Sequence, residues 1–315
     1  MLTTDDLKFV ATRIWRYLNI YFLKPHDAIN DTLTSYLLTR FEWSGKFLEV
    51  GSGDGMFSYV MHGGRFPLHF DRYLMIDLGK SDIFDTHLEK IIDTKVILKF
   101  PHVDLAIDAK IPHVLKIKEI AFSNQVLCAP YESLPIKDGA YTNIFFYTAH
   151  GLADHSEALG ECCRVLTKNG RIILLCYNSN FKSAFWCNRL SKRFDGKVGD
   201  YFKKLDNGRY EEITKMSKTE NQWLKEFEKH GLSVEACYSG LTNFAWGIYD
   251  IQTRPFLKAL IRFFASLPTY LRAPVKLIWM VVLFPYLFIF FLLFARPQRR
   301  YSDKSCYLAF ELRKI

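Results

Sequence analysis

At 315 residues the chain is long enough for one α/β domain with a full core and an appendage. A formal net charge of +9 and a pI near 9.1 point to an acidic partner: nucleic acid, anionic lipid or an acidic substrate. Seven cysteines without a C-x-x-C pair, and no His/Cys cluster at zinc spacing, exclude a disulfide framework or zinc module and fit reduced thiols in a cytosolic domain.

The acidic start Met1-Leu2-Thr3-Thr4-Asp5-Asp6 lacks the basic-then-apolar order of a signal peptide. Residues 7–40 carry a helical pattern rich in aromatics (Phe9, Trp15, Tyr21, Phe22), then a second helix from Asp27 to Leu38. Next comes Phe47-Leu48-Glu49-Val50, a short buried strand with one acid in it, and Gly51-Ser52-Gly53-Asp54-Gly55 before a helix from Met56. Glycine costs stability unless a positive φ or close backbone approach requires it, so this turn brings bare backbone up to a ligand. A dinucleotide loop spaces its glycines G-x-G-x-x-G, and here Met56 occupies the third glycine's place. Glu49 would repel a pyrophosphate and suits a cation, such as a sulfonium carrying an amino group. The string resembles motif I of class I S-adenosylmethionine-dependent methyltransferases. That resemblance implies S-adenosyl-L-methionine as cofactor, held through Glu49, Gly51, Ser52, Gly53 and Gly55. It also implies that the N-terminal helices, residues 1–43, form a lid over the pocket, the alternative being a plain cap on the sheet.

The second strand should end in an acid that bonds the cofactor ribose. Asp77, after Leu74-Met75-Ile76, lies nearer the roughly 20-residue spacing of dinucleotide folds. Asp108, after Val103-Asp104-Leu105-Ala106-Ile107, has the better downstream context: Pro112 early in an amphipathic helix, then a third strand from Gln125 to Cys128. Asp108 is preferred, which makes residues 62–102 an insertion with its own hairpin and helix. Tyr131-Glu132-Ser133-Leu134-Pro135-Ile136-Lys137-Asp138-Gly139 resembles the block after strand three in the type 11, ubiquinone-biosynthesis-like methyltransferases. That group has an aspartate for the adenine amino group where this chain has Pro130, which leaves Tyr131 and Glu132 along the adenine, with a backbone amide near Tyr131 to read the ring. Strand four, Ala140 to Tyr147, is a continuous apolar run that ends before Thr148-Ala149-His150. Ligands sit at the carboxyl ends of such strands, so Tyr147 and His150 are the candidate catalytic residues, His150 as base or as a structural strand end. The helix Glu157–Leu166, the turn Lys168-Asn169-Gly170 and strand five, Arg171 to Cys176, again resemble that group. The match covers about residues 44–180 and implies a Rossmann-like, doubly wound seven-stranded sheet whose last strand is antiparallel.

Residues 181–217 are basic, aromatic and irregular: a substrate-covering insertion or a solvated face. A helix from Gln222 to Lys229 and strand six, Leu232 to Tyr238, follow. No charged residue interrupts Leu277 to Ala295, which as one helix runs about 28 Å, enough for a bilayer core. Ser305 to Leu312 then reads as the closing strand. A seventh strand beside the sixth must lie on strand six's side of any membrane, which a single crossing forbids. Pro285 interrupts the run, and Arg272, Lys276, Arg296, Arg299 and Arg300 flank it. The reading is an apolar helical hairpin bent at Pro285, inserted between strands six and seven and anchoring the protein to the cytoplasmic face of a membrane. A single span, a buried core hairpin and an oligomer interface remain open. The organisation expected is a lid (1–43), the cofactor-binding domain (44–244), a membrane-associated insertion (245–303) and the closing strand (304–315). The expected activity is methylation of a lipophilic or lipid-linked small molecule, with anionic lipid and not nucleic acid explaining the charge. A soluble glycan or small-molecule methyltransferase, or a non-catalytic cofactor-binding scaffold, is the alternative.

Overall fold

A computed structural model describes residues 2–74, 76, 102–147, 155–302 and 304–315. Asp77, His150 and most of the expected insertion at 62–102 lie outside the described residues. The chain opens with α1 (Thr4–Tyr21) and α2 (Pro25–Leu38). The Thr3 hydroxyl accepts from the Asp6 amide, and the Asp6 carboxylate accepts from the Thr3 amide, a reciprocal cap that fixes the start of α1. Then come β1 (Phe47–Val50), α3 (Met56–Met61), β2 (Val103–Asp108), α4 (Ile111–Ile120), β3 (Ser123–Cys128), β4 (Tyr141–Tyr147), α5 (His155–Val165) and β5 (Leu166–Tyr177). A helical stretch of α6 (Trp186–Arg193), α7 (Gly196–Asp206), α8 (Arg209–Met216) and α9 (Glu220–Lys229) leads to β6 (Leu232–Thr242). Three more helices, α10 (Asn243–Ile251), α11 (Leu257–Ser266) and α12 (Thr269–Phe290), precede β7 (Ser305–Lys314).

The seven strands form one sheet in the order β3-β2-β1-β4-β5-β7-β6. β1 to β5 pair in parallel, and β7 runs antiparallel between β5 and β6. Alternate residues of each strand face opposite layers. Phe47, Phe145, Ile173 and Leu175 point to the layer of α1, α2 and α3. Leu48, Val50, Ile144, Phe146 and Leu174 point to the layer of α5 and α9. This alternation puts Glu49 on the Phe47 face, beneath α3. Val103–Asp108 is the second strand, so Asp108 ends the strand next to β1, beside the glycine turn.

Two expectations change. The stretch 181–217 is helical, not irregular. Its helices are short, and Asn207 and Gly208 at φ 52° and 78° separate α7 from α8. No single apolar period therefore runs through it, although Phe181, Phe185, Cys187 and Ile213 are buried. The apolar run between β6 and β7 does not fold back at Pro285. α12 continues through Pro274 and Pro285 and widens to a π-turn at Phe291–Ala295. Both prolines are exposed, so the hydrogen bonds they cannot make are lost on the outer side while the packed side stays continuous.

That packed side carries Lys276, Met280, Leu287 and Phe290, at spacings of four, seven and three that keep them on one helix face. Lys276 Nζ donates to Phe70 O at 2.6 Å and Trp279 Nε1 to Phe22 O at 2.7 Å. His26 Nε2 lies 3.0 Å from the Tyr286 hydroxyl. α12 thus lies along α1 and α2 over several turns, locked to them by polar contacts as well as by packing.

Candidate active site

The glycine turn sits where β1 meets α3. Gly51, Gly53 and Gly55 take φ of 81°, 57° and 76°, a region that penalises any residue with a Cβ. The Gly51 and Ser52 amides both donate to Ile107 O of β2, at 2.9 and 3.0 Å. A Cβ on Gly55 would come within 2.9 Å of Ile117 and Phe122, whereas a Cβ on Gly53 would meet nothing within 4 Å. Gly55 is therefore needed for packing, and Gly53 faces open space.

Glu49 is fully buried. The Ser58 hydroxyl of α3 donates to Glu49 Oε1 at 2.5 Å, and among the described residues no cation pairs with it. Burial pushes its carboxyl up to about 7 against the pull of the Ser58 and Ser52 hydroxyls. A buried acid in need of a counter-charge is what an ammonium-bearing ligand would supply. This is the observation by which the site fits S-adenosylmethionine.

Asp108 collects the donors around it. Its Oδ2 accepts from the Gly53 amide at 2.9 Å and from the Tyr131 hydroxyl at 3.2 Å. Its Oδ1 accepts from the Lys110 amide at 2.9 Å and lies 3.1 Å from His113 Nδ1. Those four contacts match the roughly four lone-pair positions of a carboxylate. Glu49, Gly51, Ser52, Gly53, Gly55, Asp108 and Tyr131 are therefore contiguous, and Glu132 is half-buried beside Tyr131. Burial, then the Asp108 charge, drives the Tyr131 phenol far above its ordinary value, so it acts as a donor.

The other side of the turn holds residues that the sequence reading did not single out. Asp54 of the glycine turn pairs with Arg72 at 2.5 Å in a buried ion pair, and the Arg72 guanidinium lies 4.9 Å from the Tyr21 ring centre. Burial pushes Asp54 up, but the charges of Arg72, Lys116 and His113 and the Met56 amide together outweigh it, and the carboxyl ends below its ordinary value. Above this pair lies α2, buried along nearly its whole length although it carries Asp27, Asp31, Thr34 and Ser35. Asn30 Nδ2 donates to the Tyr147 hydroxyl at 3.3 Å, and the Thr34 hydroxyl lies 3.3 Å from that of Tyr307. Asp31 is 6% exposed and its Oδ2 has no hydrogen-bond partner. Burial raises its carboxyl to about 7, the Tyr21 hydroxyl opposes the rise, and the Asp27 charge adds to it. Tyr147, the one candidate catalytic residue that is described, is likewise driven well above 10, by burial and then by Tyr307, Asp31, Tyr177 and Tyr249. The carboxyl ends of β4, β5 and the glycine turn thus face a cluster of phenols around a second buried acid, Asp31. The signal was present in the sequence as a helix with polar residues on every face, which only a site or a buried network would keep.

Residues 105–174, from β2 into β5, match a methyltransferase domain family. No curated protein matches the chain by sequence. Among solved structures it is similar to a S-adenosylmethionine-dependent methyltransferase, a possible histamine N-methyltransferase, from Thermotoga maritima. That match has a TM-score of 0.50 at 12% identity and covers 98% of this chain and 99% of the other. The YcgJ protein of Bacillus subtilis matches with a TM-score of 0.40 at 14% identity, over 91% and 96% of the two chains. Geranyl diphosphate C-methyltransferase from Streptomyces coelicolor, solved with S-adenosyl-L-homocysteine, matches with a TM-score of 0.43 at 10% identity, over 90% and 75%.

Proposed function

From the premise that the chain is a class I S-adenosylmethionine-dependent methyltransferase, we propose that it works lying on a membrane surface and methylates a lipophilic acceptor. The observation that carries this is the outer face of α12. Ile278, Val281, Val282, Ile289 and, in the π-turn that follows, Leu293 are 55 to 66% exposed, and Tyr270, Phe263 of α11 and Phe256 just before α11 are 61 to 76% exposed. A contiguous apolar surface of this kind marks an interaction site. Because the other face of α12 is locked to α1 and α2, a crossing would drag those helices into lipid. An in-plane helix buries the same residues without that cost. Arg272, Arg296, Arg299 and Arg300 at its ends suit an anionic headgroup layer, and both ends on one side suit the cytoplasmic face.

S-adenosylmethionine supplies a methyl group already activated on a sulfonium. Glu49 would hold its ammonium, the backbone at Gly51–Gly53 its methionine part, and Asp108, on exchanging one of its four present contacts for a hydroxyl, its ribose. Tyr131 and Glu132 line the adenine side. Class I enzymes accelerate such a transfer chiefly by alignment and by excluding water, which the buried phenol cluster does here. Asp31 takes the proton from a hydroxyl or activated C–H acceptor as the methyl is accepted, its value near 7 matching that task. Tyr147, held by Asn30, orients the acceptor. Acid–base work at Asp31 does not require His150.

The test is incubation with methyl-labelled S-adenosylmethionine and a total membrane lipid extract, with mass spectrometry of the products. Label in an organic-phase product supports the reading. Label confined to water-soluble products, or tight cofactor binding with no turnover, contradicts it.

A further inference from the structure

Beneath α12, on the side of α1 away from the glycine turn, is a cavity of about 500 Å³. Thr12, Trp15, Arg16 and Asn19, one stripe of α1, form one wall, Arg65 a second, and Met280 of α12 a third. Neither Arg16 nor Arg65 has a carboxylate partner among the described residues. The neighbouring Arg13 is occupied: its guanidinium donates to Val60 O and to Met61 O at the end of α3. Two cations with no carboxylate partner among the described residues therefore converge on a cavity that opens to the surface at Arg65. Burial, then Arg13 and Arg65, lower the Arg16 guanidinium below its ordinary value, the mark of like charges held together. The remaining wall is apolar. Trp15 packs edge-on against Phe284 of α12 at 5.7 Å, and Leu277 and Val281, beside Met280 on the helix, are 39 and 55% exposed on the proposed membrane face.

We propose that this cavity binds the phosphate of an anionic membrane phospholipid between Arg16 and Arg65, with the acyl chains leaving over Leu277 and Val281. Paired guanidiniums match the geometry of a phosphate better than a single ammonium does. The apolar exit distinguishes a lipid from a free anion. The site rests on the membrane reading given above. It turns general attraction to charge into recognition of one headgroup at a fixed place, and so sets the tilt at which α1, α2 and the acceptor cluster meet the bilayer.

The test is flotation of the full chain with vesicles of phosphatidylcholine alone, or with one third phosphatidylglycerol. Three proteins are compared: the natural chain, Arg16→Gln/Arg65→Gln, and Lys203→Gln/Lys204→Gln, which removes the same charge from exposed positions of α7. The natural chain should bind the anionic vesicles more tightly than the neutral ones. The arginine pair should lose that preference by about tenfold or more, against less than about twofold for the lysine pair. Unchanged S-adenosylhomocysteine binding shows that the arginine variant is folded. Equal losses in both variants mean diffuse electrostatics and overturn the site while leaving the membrane reading in place. Failure of the natural chain to bind either vesicle overturns both. Arginine-dependent stabilisation by inorganic phosphate, without vesicle preference, identifies a free-anion site and overturns the lipid assignment.

Discussion

Glu49 and Asp31 are two buried carboxyls with one sign of pH dependence. Each is raised from its ordinary range to about 7. A raised carboxyl means that the folded chain holds more protons than the unfolded one between about 4.5 and 7, so the ligand-free protein loses stability as pH rises through that window. A shift of this size corresponds to about 3 kcal/mol for Glu49, present as a cost above pH 7 and absent below 4.5. Glu49→Gln should therefore raise the melting temperature of the ligand-free protein at pH 8 and flatten its rise towards acid, as read by thermal denaturation. The same substitution should weaken S-adenosylhomocysteine binding by about 10- to 100-fold in calorimetry, because an amide gives the ammonium no counter-charge. In the natural protein, cofactor affinity should rise towards pH 7 and level off above it. Asp31→Asn should keep that affinity within about twofold and lower kcat by about 10²- to 10⁴-fold, removing the limb near pH 7 from the rate profile. An unchanged rate profile in the asparagine variant would remove Asp31 from the proton step.

At the level of elements, Arg164 of α5 explains why two distant sequence blocks occur together. Its guanidinium donates to Leu134 O at 2.8 Å, to Ile136 O at 2.7 Å and to the Asp138 carboxylate at 2.6 Å. It also pairs with Glu161 one turn earlier, which in turn accepts from the Leu134 amide at 2.7 Å. The loop after β3, which carries Tyr131 and Glu132, is thus pinned to α5 by one planar fork. Arg164→Ala should cost about 1–2 kcal/mol, seen as a melting temperature lower by a few degrees. Arg164→Lys should not restore it, since an ammonium cannot reach three acceptors in a plane. Rescue by lysine would show that charge alone is what matters there. Elements of this kind were legible because their signals are local. The glycine turn, the strand–helix–strand unit ending in Asp108 and the apolar fourth strand each carry their pattern within a few residues. α6 to α8 were not legible, because helices of 8 to 11 residues on a basic surface leave no long apolar period and none of the three has a side-chain N-cap hydrogen bond. The unbroken course of α12 was hidden for a different reason. Whether a proline bends a helix depends on which side it faces, and that is set by packing on α1 and α2. Asp31 was missed because its neighbours, among them Tyr21, Arg72, Tyr147 and Tyr307, come from distant parts of the chain, which only the tertiary fold assembles.

For the whole molecule, the sheet order and the position of β7 tie the two ends of the 245–303 insertion to one edge of the catalytic sheet. The chain leaves β6, covers the N-terminal helices with α12 and returns beside its starting point. The apolar face of α12 therefore has a fixed orientation towards the helices that roof the acceptor cluster. The same face would also suit a second copy of the chain, and detergent-free behaviour as a defined dimer would favour that arrangement. The most direct measurement is turnover of labelled methyl into a lipid-extract acceptor, with and without anionic vesicles, for the natural chain and for Ile278→Ser/Val282→Ser/Ile289→Ser. Vesicles should stimulate the natural chain, and the triple variant should bind S-adenosylhomocysteine normally yet lose about tenfold or more of that stimulation. Equal turnover in the two proteins, or turnover indifferent to vesicles, would contradict catalysis at a membrane surface.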